Sequence, residues 1–353
     1  MALPQLIIRS DASRTIGAGH VMRSLAIAQA WQDRGGEVTF ASSELPDALK
    51  SRIAAEGFRL ISVTDPPGSS EDARRLLAVA DRMRAAAIVL DGYTYGADYH
   101  AAIGRSKHST LAIDDCSHLA HYSTDFVLNQ NADVAESRYP NLSPQTQLLL
   151  GTSYALLRRE LVDAFDTVRD EPTGKRILVT LGGSDPDNVT SAIIKALRSD
   201  SDSDLSVRVI VGAMNSHVDS LKQAIGGDAR IEILQDVAAM SHQYRWADLA
   251  IAAGGSSNWE MCYYGLPRIV LVIADNQIEI AAALQRKQIA VNLGPAADVE
   301  PSDVKAAVNA MLNNPAKLQV ARAEALKLVD GKGAWRCVDR LLKHNKPMNL
   351  YPS

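Results

Sequence analysis

Short apolar runs alternate along this chain with stretches of helical spacing, from near the start to beyond residue 270. Residues 20–33 have helical spacing, and Arg34-Gly35-Gly36 ends that stretch. Several runs are continuously apolar, and two of them close on acidic residues. Such runs, interspersed with helices, are typical of parallel strands buried on both faces of a sheet. In the N-terminal half the predicted strands are 6–9, 37–41, 86–91 and 111–115.

The same pattern restarts after a polar segment, residues 167–175, which contains Pro172 and Gly174 and is a predicted linker. A length of 353 residues also favours about two domains. We therefore expect an α/β protein with two doubly wound Rossmann-like domains, 1–168 and 169–330, facing each other across a cleft. Residues 331–353 are predicted as a C-terminal helix and tail, for which a return to the first domain is one arrangement. Predicted strands of the second half are 176–181, 207–211, 231–234, 249–252 and 269–273.

Glycine-containing turns follow three of the predicted strands. In such turns, backbone N–H groups at the start of the next helix can approach a phosphate closely. The first of these turns is neither a dinucleotide fingerprint nor a P-loop, because the required third glycine and Gly-Lys-Ser/Thr are missing. Ligands of open α/β sheets bind beyond the carboxyl ends of the strands, so one cleft is expected to gather all three turns. They are Gly17-Ala18-Gly19-His20, Gly182-Gly183-Ser184-Asp185-Pro186 and Gly254-Gly255-Ser256-Ser257.

Three polar positions near these turns are candidates for chemistry. His20 opens a predicted helix, whose positive dipole favours the neutral imidazole that can act as a general base. Glu260 lies about one and a half turns into the helix after Gly254, where a carboxylate can accept both ribose hydroxyls. Asp185 is a plausible helix N-cap, with Pro186 in the first helical position. The alternatives are that His20 caps the helix or fills a gap, that Glu260 is a surface residue of its helix, and that Asp185 only caps a helix that binds no ligand.

Acidic and aromatic residues at predicted strand ends extend this set. Asp91 closes one strand of the first domain, and Asp114 and Asp115 close another, on the side of His20. These acids could orient the imidazole or bind sugar hydroxyls, or they could be ordinary turn formers. Tyrosines at positions 93, 95 and 99 could line a sugar pocket or simply pack. Asn276 and Gln277 follow a predicted strand, so their side chains would either point into the cleft or belong to a turn with no binding role.

Composition and charge exclude several classes of function. The net charge is −4 and the pI about 6.1, so no basic surface argues for nucleic acid. Three distant cysteines lack metal-ligand spacing and suit a reducing compartment. His118 and His121 are a weak metal pair in what looks like an irregular loop, so no metal or cofactor is predicted. Without a signal peptide or a membrane-length apolar run, we expect a soluble cytoplasmic protein, with a monomer favoured.

The motifs occur in an order that resembles the UDP-2,4-diacetamido-2,4,6-trideoxy-β-L-altropyranose hydrolase family of pseudaminic acid biosynthesis. The similarity runs from about residue 6 to about residue 340, and that family is similar in fold to the GT-B glycosyltransferases. The ordered set is far more specific than any one motif. Besides the second and third glycine turns and Glu260, it includes Gly17-Ala18-Gly19-His20-Val21-Met22-Arg23, Asp91-Gly92-Tyr93, residues 111–115, Leu128-Asn129-Gln130-Asn131, Tyr154-Ala155-Leu156-Leu157-Arg158 and Ala274-Asp275-Asn276-Gln277.

The resemblance implies hydrolysis of a UDP-linked 2,4-diacetamido-2,4,6-trideoxy hexose to UDP and the free sugar, without a metal. Water would attack the anomeric carbon with inversion and cleavage of the C–O bond. His20 matches the catalytic histidine, Glu260 the glutamate that binds the uridine ribose, and Tyr93 a tyrosine near the sugar. The other residues expected to bind substrate are Asp11, Arg14, Gly17, Gly19, Asp115, Gly183, Ser184, Asn188, Gly254, Gly255, Ser256, Asn276 and Gln277.

Two departures from the family pattern leave the substrate open. Gly151 is followed by Thr152 where a proline is expected, and Tyr95 is an extra tyrosine, so either Tyr93 or Tyr95 could meet the sugar. A different 2,4-diamino sugar would fit as well. The main alternative function is a GT-B glycosyltransferase with the same UDP site, and another is a nucleotide-sugar-binding protein without turnover. A UDP-GlcNAc 2-epimerase is disfavoured, because its glutamate and aspartate set is not found in the expected places.

Overall fold

The computed structural model describes residues 3–13, 15–165, 174–199, 204–212, 214–235, 237 and 239–344. The chain divides into two compact units, an N-terminal unit (Met1–Arg159 with Gly331–Ser353) and a C-terminal unit (Glu160–Asp330). Most of the predicted linker, residues 167–173, lies outside the described residues.

A parallel sheet of seven strands forms the centre of the described N-terminal unit. The strand order is β3-β2-β1-β4-β5-β6-β7, so the direction of winding reverses between β1 and β4. All neighbouring pairs are parallel, as the buried apolar runs predict. The strands are β1 (Gln5–Ser10), β2 (Glu37–Ser42), β3 (Arg59–Ser62), β4 (Ala85–Asp91), β5 (Ser109–Ile113), β6 (Phe126–Asn129) and β7 (Gln147–Leu150).

In the described part of the C-terminal unit, six parallel strands repeat the same winding in the order β10-β9-β8-β11-β12-β13. The reversal lies between β8 and β11. The glycine turns predicted to bind phosphate follow β8 and β11, so both lie at the carboxyl edge of this sheet. The strands are β8 (Arg176–Thr180), β9 (Ser206–Val211), β10 (Ile231–Gln235), β11 (Leu249–Ala253), β12 (Arg268–Val272) and β13 (Ala290–Pro295).

Helices follow most of the strands, which confirms two doubly wound α/β domains. The helices that matter for the site are those that open directly after a sheet's carboxyl edge. The described helices are α1 (Gly19–Asp33), α2 (Asp47–Ala55), α3 (Ser70–Met83), α4 (Ala97–Gly104), α5 (Arg159–Asp163), α6 (Val189–Arg198), α7 (Val218–Ile225), α8 (Met240–Trp246), α9 (Ser257–Tyr263), α10 (Ile278–Arg286), α11 (Pro301–Leu312), α12 (Pro315–Leu328) and α13 (Gly333–Lys343).

The first sheet is buried on both faces. Successive side chains of a strand point to opposite sides, so apolar residues at consecutive positions contribute to a core layer on each face. In β1, Leu6 and Ile8 join a core cluster with α1 and α13, whereas Ile7 joins a second cluster with α3 and α4. Two apolar layers therefore hold the sheet, and its carboxyl edge is left for polar side chains.

Helix α13 packs on the N-terminal unit although it follows the C-terminal unit in sequence. Its buried residues Ala334, Cys337, Val338 and Leu341 recur at helical spacing and belong to the core cluster that contains α1. At Gly333 a β-carbon would collide with the backbone carbonyl of Ala155, so the first turn of α13 requires glycine.

None of the helices in the described part of the chain combines the length and the apolar composition needed to cross a bilayer.

Candidate active site

The winding reversal of the N-terminal unit brings the end of β1 beside the end of β4. Between β1 and α1 the chain turns through Gly17, whose φ of 80° favours glycine, and α1 then begins at Gly19. His20 is therefore the second residue of α1, and Asp91 is the last residue of β4. Crevices at such a reversal are where open α/β sheets bind ligands.

His20 is oriented by Asp91, because its Nδ1 lies 2.7 Å from Asp91 Oδ1. An ionised carboxylate can only accept, so Nδ1 carries the proton and donates it. Nε2 is then the basic nitrogen, and it makes no hydrogen bond to another described residue. The His20 side chain is 7% exposed and that of Asp91 is fully buried. This is the arrangement of a general base held in one tautomer.

Arg23 lies one turn further along α1 and was not among the residues expected to form the site. Its Nε donates to Asp91 Oδ2 (2.8 Å) and its Nη2 to Asp91 Oδ1 (2.6 Å), a bidentate pair. The third nitrogen, Nη1, donates to Asp115 Oδ2 at 2.7 Å. Nη2 also lies 3.0 Å from His20 Nδ1, a contact between two donors that both point at the same carboxylate oxygen.

Asp115 and Tyr93 complete the group around His20. Tyr93 donates its phenolic O–H to Asp115 Oδ1 at 2.6 Å. The Tyr93 and His20 rings meet edge to face, with centroids 4.7 Å apart. Tyr93 is 40% exposed, whereas Tyr95 is fully buried, so only Tyr93 of these two presents its ring at the surface beside His20.

Charge and burial set the protonation of the two carboxyls. Burial alone would raise the pKa of Asp91, but Arg23 and His20 hold it below its ordinary value. Burial likewise opposes ionisation of Asp115, but the Arg23 charge and the Tyr93 hydrogen bond lower its pKa to about 2. Burial and the Asp115 charge raise the pKa of Tyr93, which stays a neutral donor. The same two causes raise the pKa of the neighbouring Cys116 thiol to about 11.

A second histidine–aspartate pair lies on the other side of Tyr93. His118 Nδ1 is 3.1 Å from Asp114 Oδ2, and the His118 and Tyr93 rings are 5.7 Å apart. Asp114 directly follows β5 and does not close it, contrary to the predicted strand 111–115, and its carboxylate also accepts from the loop that follows. Among the described residues, no group of three or more His, Cys, Asp or Glu could hold a metal ion.

Asp11 has its carboxylate oxygens engaged within the protein. It accepts from Arg9 Nη1 (2.7 Å), from the Ser43 backbone N–H (2.6 Å) and from Tyr95 O–H (3.2 Å). Arg9 is fully buried and also forms a bidentate pair with Asp72. The oxygens of Asp11 thus hold the end of β1 in place. Arg14, the other residue expected in this loop, lies outside the described residues.

In the C-terminal unit, the loop after β8 contains Gly182, with φ of 87°, and Gly183, which packs closely on Gly212. Ser184 follows in the same turn, and the prediction that Pro186 opens the helix is wrong, because α6 begins at Val189. The Asp185 carboxylate still caps α6 from a distance, accepting from the backbone N–H groups of Val189 and Thr190 at 3.0 Å each. Asn188 precedes α6 and donates its Nδ2 to Ser220 Oγ at 2.9 Å.

The loop after β11 is held to the loop after β12 by Gln277. Its Oε1 accepts from the backbone N–H of Gly254 (3.0 Å) and of Ile273 (3.1 Å). A β-carbon on Gly254 would lie 2.8 Å from Cβ of Gln277, so this approach requires glycine. Gly255 and Ser256 then lead into α9, while Asn276 is exposed in the 3-10 turn Asp275–Gln277.

Glu260 lies in the first turn of α9 and is half-buried. Its Oε2 accepts the phenolic O–H of Tyr244, which belongs to α8, at 2.7 Å. The neighbouring residues Trp259 and Met261 are buried, which fixes the helix and directs Glu260 away from the core. Within the C-terminal unit, the carboxyl edge therefore gathers both glycine loops, Gln277 and a carboxylate steadied by a tyrosine.

Residues 176–333 match the C-terminal domain of glycosyltransferase family 28. An uncharacterized protein of Methanocaldococcus jannaschii is 24% identical over 82% of this chain and 60% of its own length. A Campylobacter jejuni UDP-2,4-diacetamido-2,4,6-trideoxy-β-L-altropyranose hydrolase is 27% identical over 55% of this chain and 65% of its own length. The chain thus spans less than two thirds of either relative.

The crystal structure of Acinetobacter baumannii MurG superposes with a TM-score of 0.68 at 14% identity, covering 97% of this chain and all of that one. The fold is therefore that of the GT-B glycosyltransferases.

Proposed function

We propose that this protein is an enzyme that hydrolyses a UDP-linked 2,4-diacetamido-2,4,6-trideoxy hexose, releasing UDP and the free sugar. The observation that carries the proposal is the 2.7 Å hydrogen bond from His20 Nδ1 to buried Asp91. It leaves Nε2 as a base at the winding reversal, where open α/β sheets bind ligands. The similarity to the Campylobacter jejuni hydrolase supports the reaction class.

His20 would activate the water that attacks the anomeric carbon. As the water oxygen bonds to that carbon, its proton moves to Nε2, and the bond from carbon to the phosphate oxygen breaks with its electron pair leaving on UDP. Asp91 stabilises the imidazolium that forms, because its charge lies 2.7 Å from Nδ1. A positioned base of this kind contributes on the order of 10²- to 10⁴-fold to rate.

The C-terminal unit would hold the nucleotide. Glu260, steadied by Tyr244, can accept the ribose hydroxyls. Backbone N–H groups of the loops that contain Gly183 and Gly254 can donate to the diphosphate, whose charge grows as it departs. These backbone N–H groups would then stabilise the negative charge that develops on the leaving diphosphate.

Glycosyl transfer is the second candidate, because residues 176–333 match a glycosyltransferase family 28 C-terminal domain. In that reaction His20 would take the proton of an acceptor hydroxyl in place of water, and the UDP site would be unchanged. The two reactions differ only in the nucleophile that reaches the anomeric carbon.

Phosphorus NMR of the purified protein with the UDP-sugar, in ¹⁸O-enriched water with EDTA and no acceptor, tests the proposal. Hydrolysis at carbon predicts unlabelled UDP and an ¹⁸O label on the anomeric oxygen of the sugar. Labelled UDP would overturn the C–O cleavage. Without any UDP release, the hydrolase proposal fails: calorimetric binding of UDP would then favour a transferase or a binding protein, and a changed but intact UDP-sugar would indicate epimerisation.

A further inference from the structure

Five side chains of the N-terminal unit form a closed circuit at the carboxyl edge of the sheet. His20 donates to Asp91, Arg23 donates to both Asp91 and Asp115, and Tyr93 donates to Asp115. The edge-to-face contact of the Tyr93 and His20 rings closes the loop. Arg23 links the pair His20–Asp91 to the pair Tyr93–Asp115 by hydrogen bonds, since it donates to both carboxylates.

Arg23 and the two carboxylates of the circuit are nearly excluded from water, whereas Tyr93 is 40% exposed. Side-chain exposures are 5% for Arg23, 0% for Asp91 and 11% for Asp115. In such surroundings two carboxylates are tolerated only with a cation between them. Arginine suits this place because its planar guanidinium carries five N–H donors on three nitrogens. All three nitrogens donate to the two carboxylates, at 2.6–2.8 Å. A lysine in the same place is a point charge and cannot hold both carboxylates in a fixed geometry.

We propose that Arg23 is a positioning residue that fixes the His20 imidazole and the Tyr93 phenol relative to each other. The effect of Arg23 on turnover rests on the proposed hydrolysis. Arg23 is linked to the exposed Tyr93 through their shared partner Asp115. It is linked to the oriented nitrogen of His20 through Asp91, which accepts from both. Its loss would free both side chains from one shared anchor while leaving the nucleotide-binding residues of the C-terminal unit unaltered.

Further groups facing the circuit do not replace Arg23. Ser24 donates its hydroxyl to Asp91 Oδ2 at 3.0 Å, and the Cys116 thiol lies 3.7 Å from Asp115 Oδ1. Both are neutral and each touches one carboxylate only. His118 is paired with Asp114 at 3.1 Å on the far side of Tyr93. The bridge between Asp91 and Asp115 therefore depends on the guanidinium.

The test compares Arg23→Lys, Arg23→Ala and Asp115→Asn with Arg34→Lys, which alters an exposed arginine paired with Asp339 just after the same helix. Folding is checked by circular dichroism and UDP affinity by calorimetry. We expect Arg23→Lys to keep UDP affinity and lose about 10- to 100-fold in kcat, the size of effect that misplacement of a catalytic group produces. Added methylguanidinium should restore part of the activity of Arg23→Ala, and Arg34→Lys should behave as wild type.

A second readout is independent of turnover. ¹⁵N NMR of the imidazoles should show one His20 tautomer, protonated at Nδ1, in the wild type and a mixture in Arg23→Lys. An unchanged tautomer together with wild-type kcat in Arg23→Lys would overturn the inference. If Arg23→Ala does not fold, Arg23→Lys and Asp115→Asn decide. If the wild type itself releases no UDP, the proposed function fails, and the tautomer comparison still decides the role of Arg23.

Discussion

Tyr93 sets the edge of its ring against His20, with centroids 4.7 Å apart and an angle of 82° between the ring planes. The two residues come from different elements, Tyr93 from the loop after β4 and His20 from the first turn of α1. Their contact places the Tyr93 phenol, which is hydrogen-bonded to Asp115, directly beside the imidazole that Asp91 orients. A sugar bound at this edge would meet both groups together.

Replacing His20 by glutamine should reduce kcat by about 10²- to 10⁴-fold, because the amide cannot take a proton. UDP binding by calorimetry should stay unchanged, since the residues proposed to hold the nucleotide lie in the C-terminal unit. His121→Gln is the matched control, as His121 is an exposed histidine bonded only to Ser143 among the described residues. Turnover of His20→Gln near the wild-type rate would remove His20 from the mechanism.

The two tyrosines should separate function from stability. Tyr93→Phe removes the donor to Asp115 at a 40% exposed site and should lower activity with little change in melting temperature. Tyr95→Phe removes a fully buried hydroxyl bonded to Asp11 and should cost about 1–2 kcal/mol of unfolding free energy. Steady-state kinetics and denaturant unfolding measure the pair. The reverse result, with Tyr95→Phe impairing catalysis alone, would assign the sugar contact to Tyr95.

Glu260→Ala should raise KM more than it lowers kcat, because ribose contacts are made equally in the ground state and the transition state. A loss of about 1–3 kcal/mol in UDP binding is the size expected for hydrogen bonds to a carboxylate. Glu279→Gln changes an exposed glutamate in the first turn of α10 and serves as the control. Calorimetry that shows wild-type UDP affinity in Glu260→Ala would make the ribose assignment wrong.

His100 should make the protein less stable in mild acid. Burial, and the nearby charge of His118, lower the pKa of His100 to about 4 despite the opposing charge of Asp114. The unfolded chain binds a proton near the ordinary value of 6.5, so it holds more protons than the folded state between about pH 6.5 and pH 4. Stability should therefore fall through that window as pH falls, by at most about 3 kcal/mol from this group.

Denaturant unfolding of wild type and His100→Asn across pH 4–7 isolates that contribution. Asp114 and Asp115, whose pKa values are lowered in the folded state, act in both proteins and cancel in the difference. His118, whose pKa is raised by Asp114, has the opposite pH dependence and cancels as well to the extent that the substitution leaves it in place. Parallel stability curves for the two proteins would show that His100 is not the buried neutral group.

Much of the fold could be predicted because its signals are local. The apolar runs at 6–9, 37–41 and 86–91 lie within β1, β2 and β4, and the helical spacing of 20–33 reproduces α1 to within one residue. Burial on both faces requires apolar side chains at consecutive positions, and a short window of sequence over the strand is enough to show them. The start of α6 was misplaced because Asp185 caps it from four residues upstream, a geometry that its position in sequence does not reveal.

The candidate site was only partly accessible in the same way. His20 and the acids at the strand ends could be singled out, and the three-residue spacing of His20 and Arg23 on one helix was the available signal for Arg23. What that signal could not supply is the partner, since Arg23 and Asp115 are 92 residues apart. Their pairing exists because β4 and β5 are neighbours in the sheet, which brings the loops after Asp91 and Ile113 to the same edge.

The sequence by itself thus determined the class of fold, the glycine turns and the identity of the candidate base, since each depends on residues close together in the chain. Only the tertiary structure decided that Asp91 orients His20, that Tyr93 is surface-exposed while Tyr95 is buried, and that Arg23 joins two carboxylates. Those relationships depend on strand order and on which side chains are excluded from water, and both are properties of the assembled sheet.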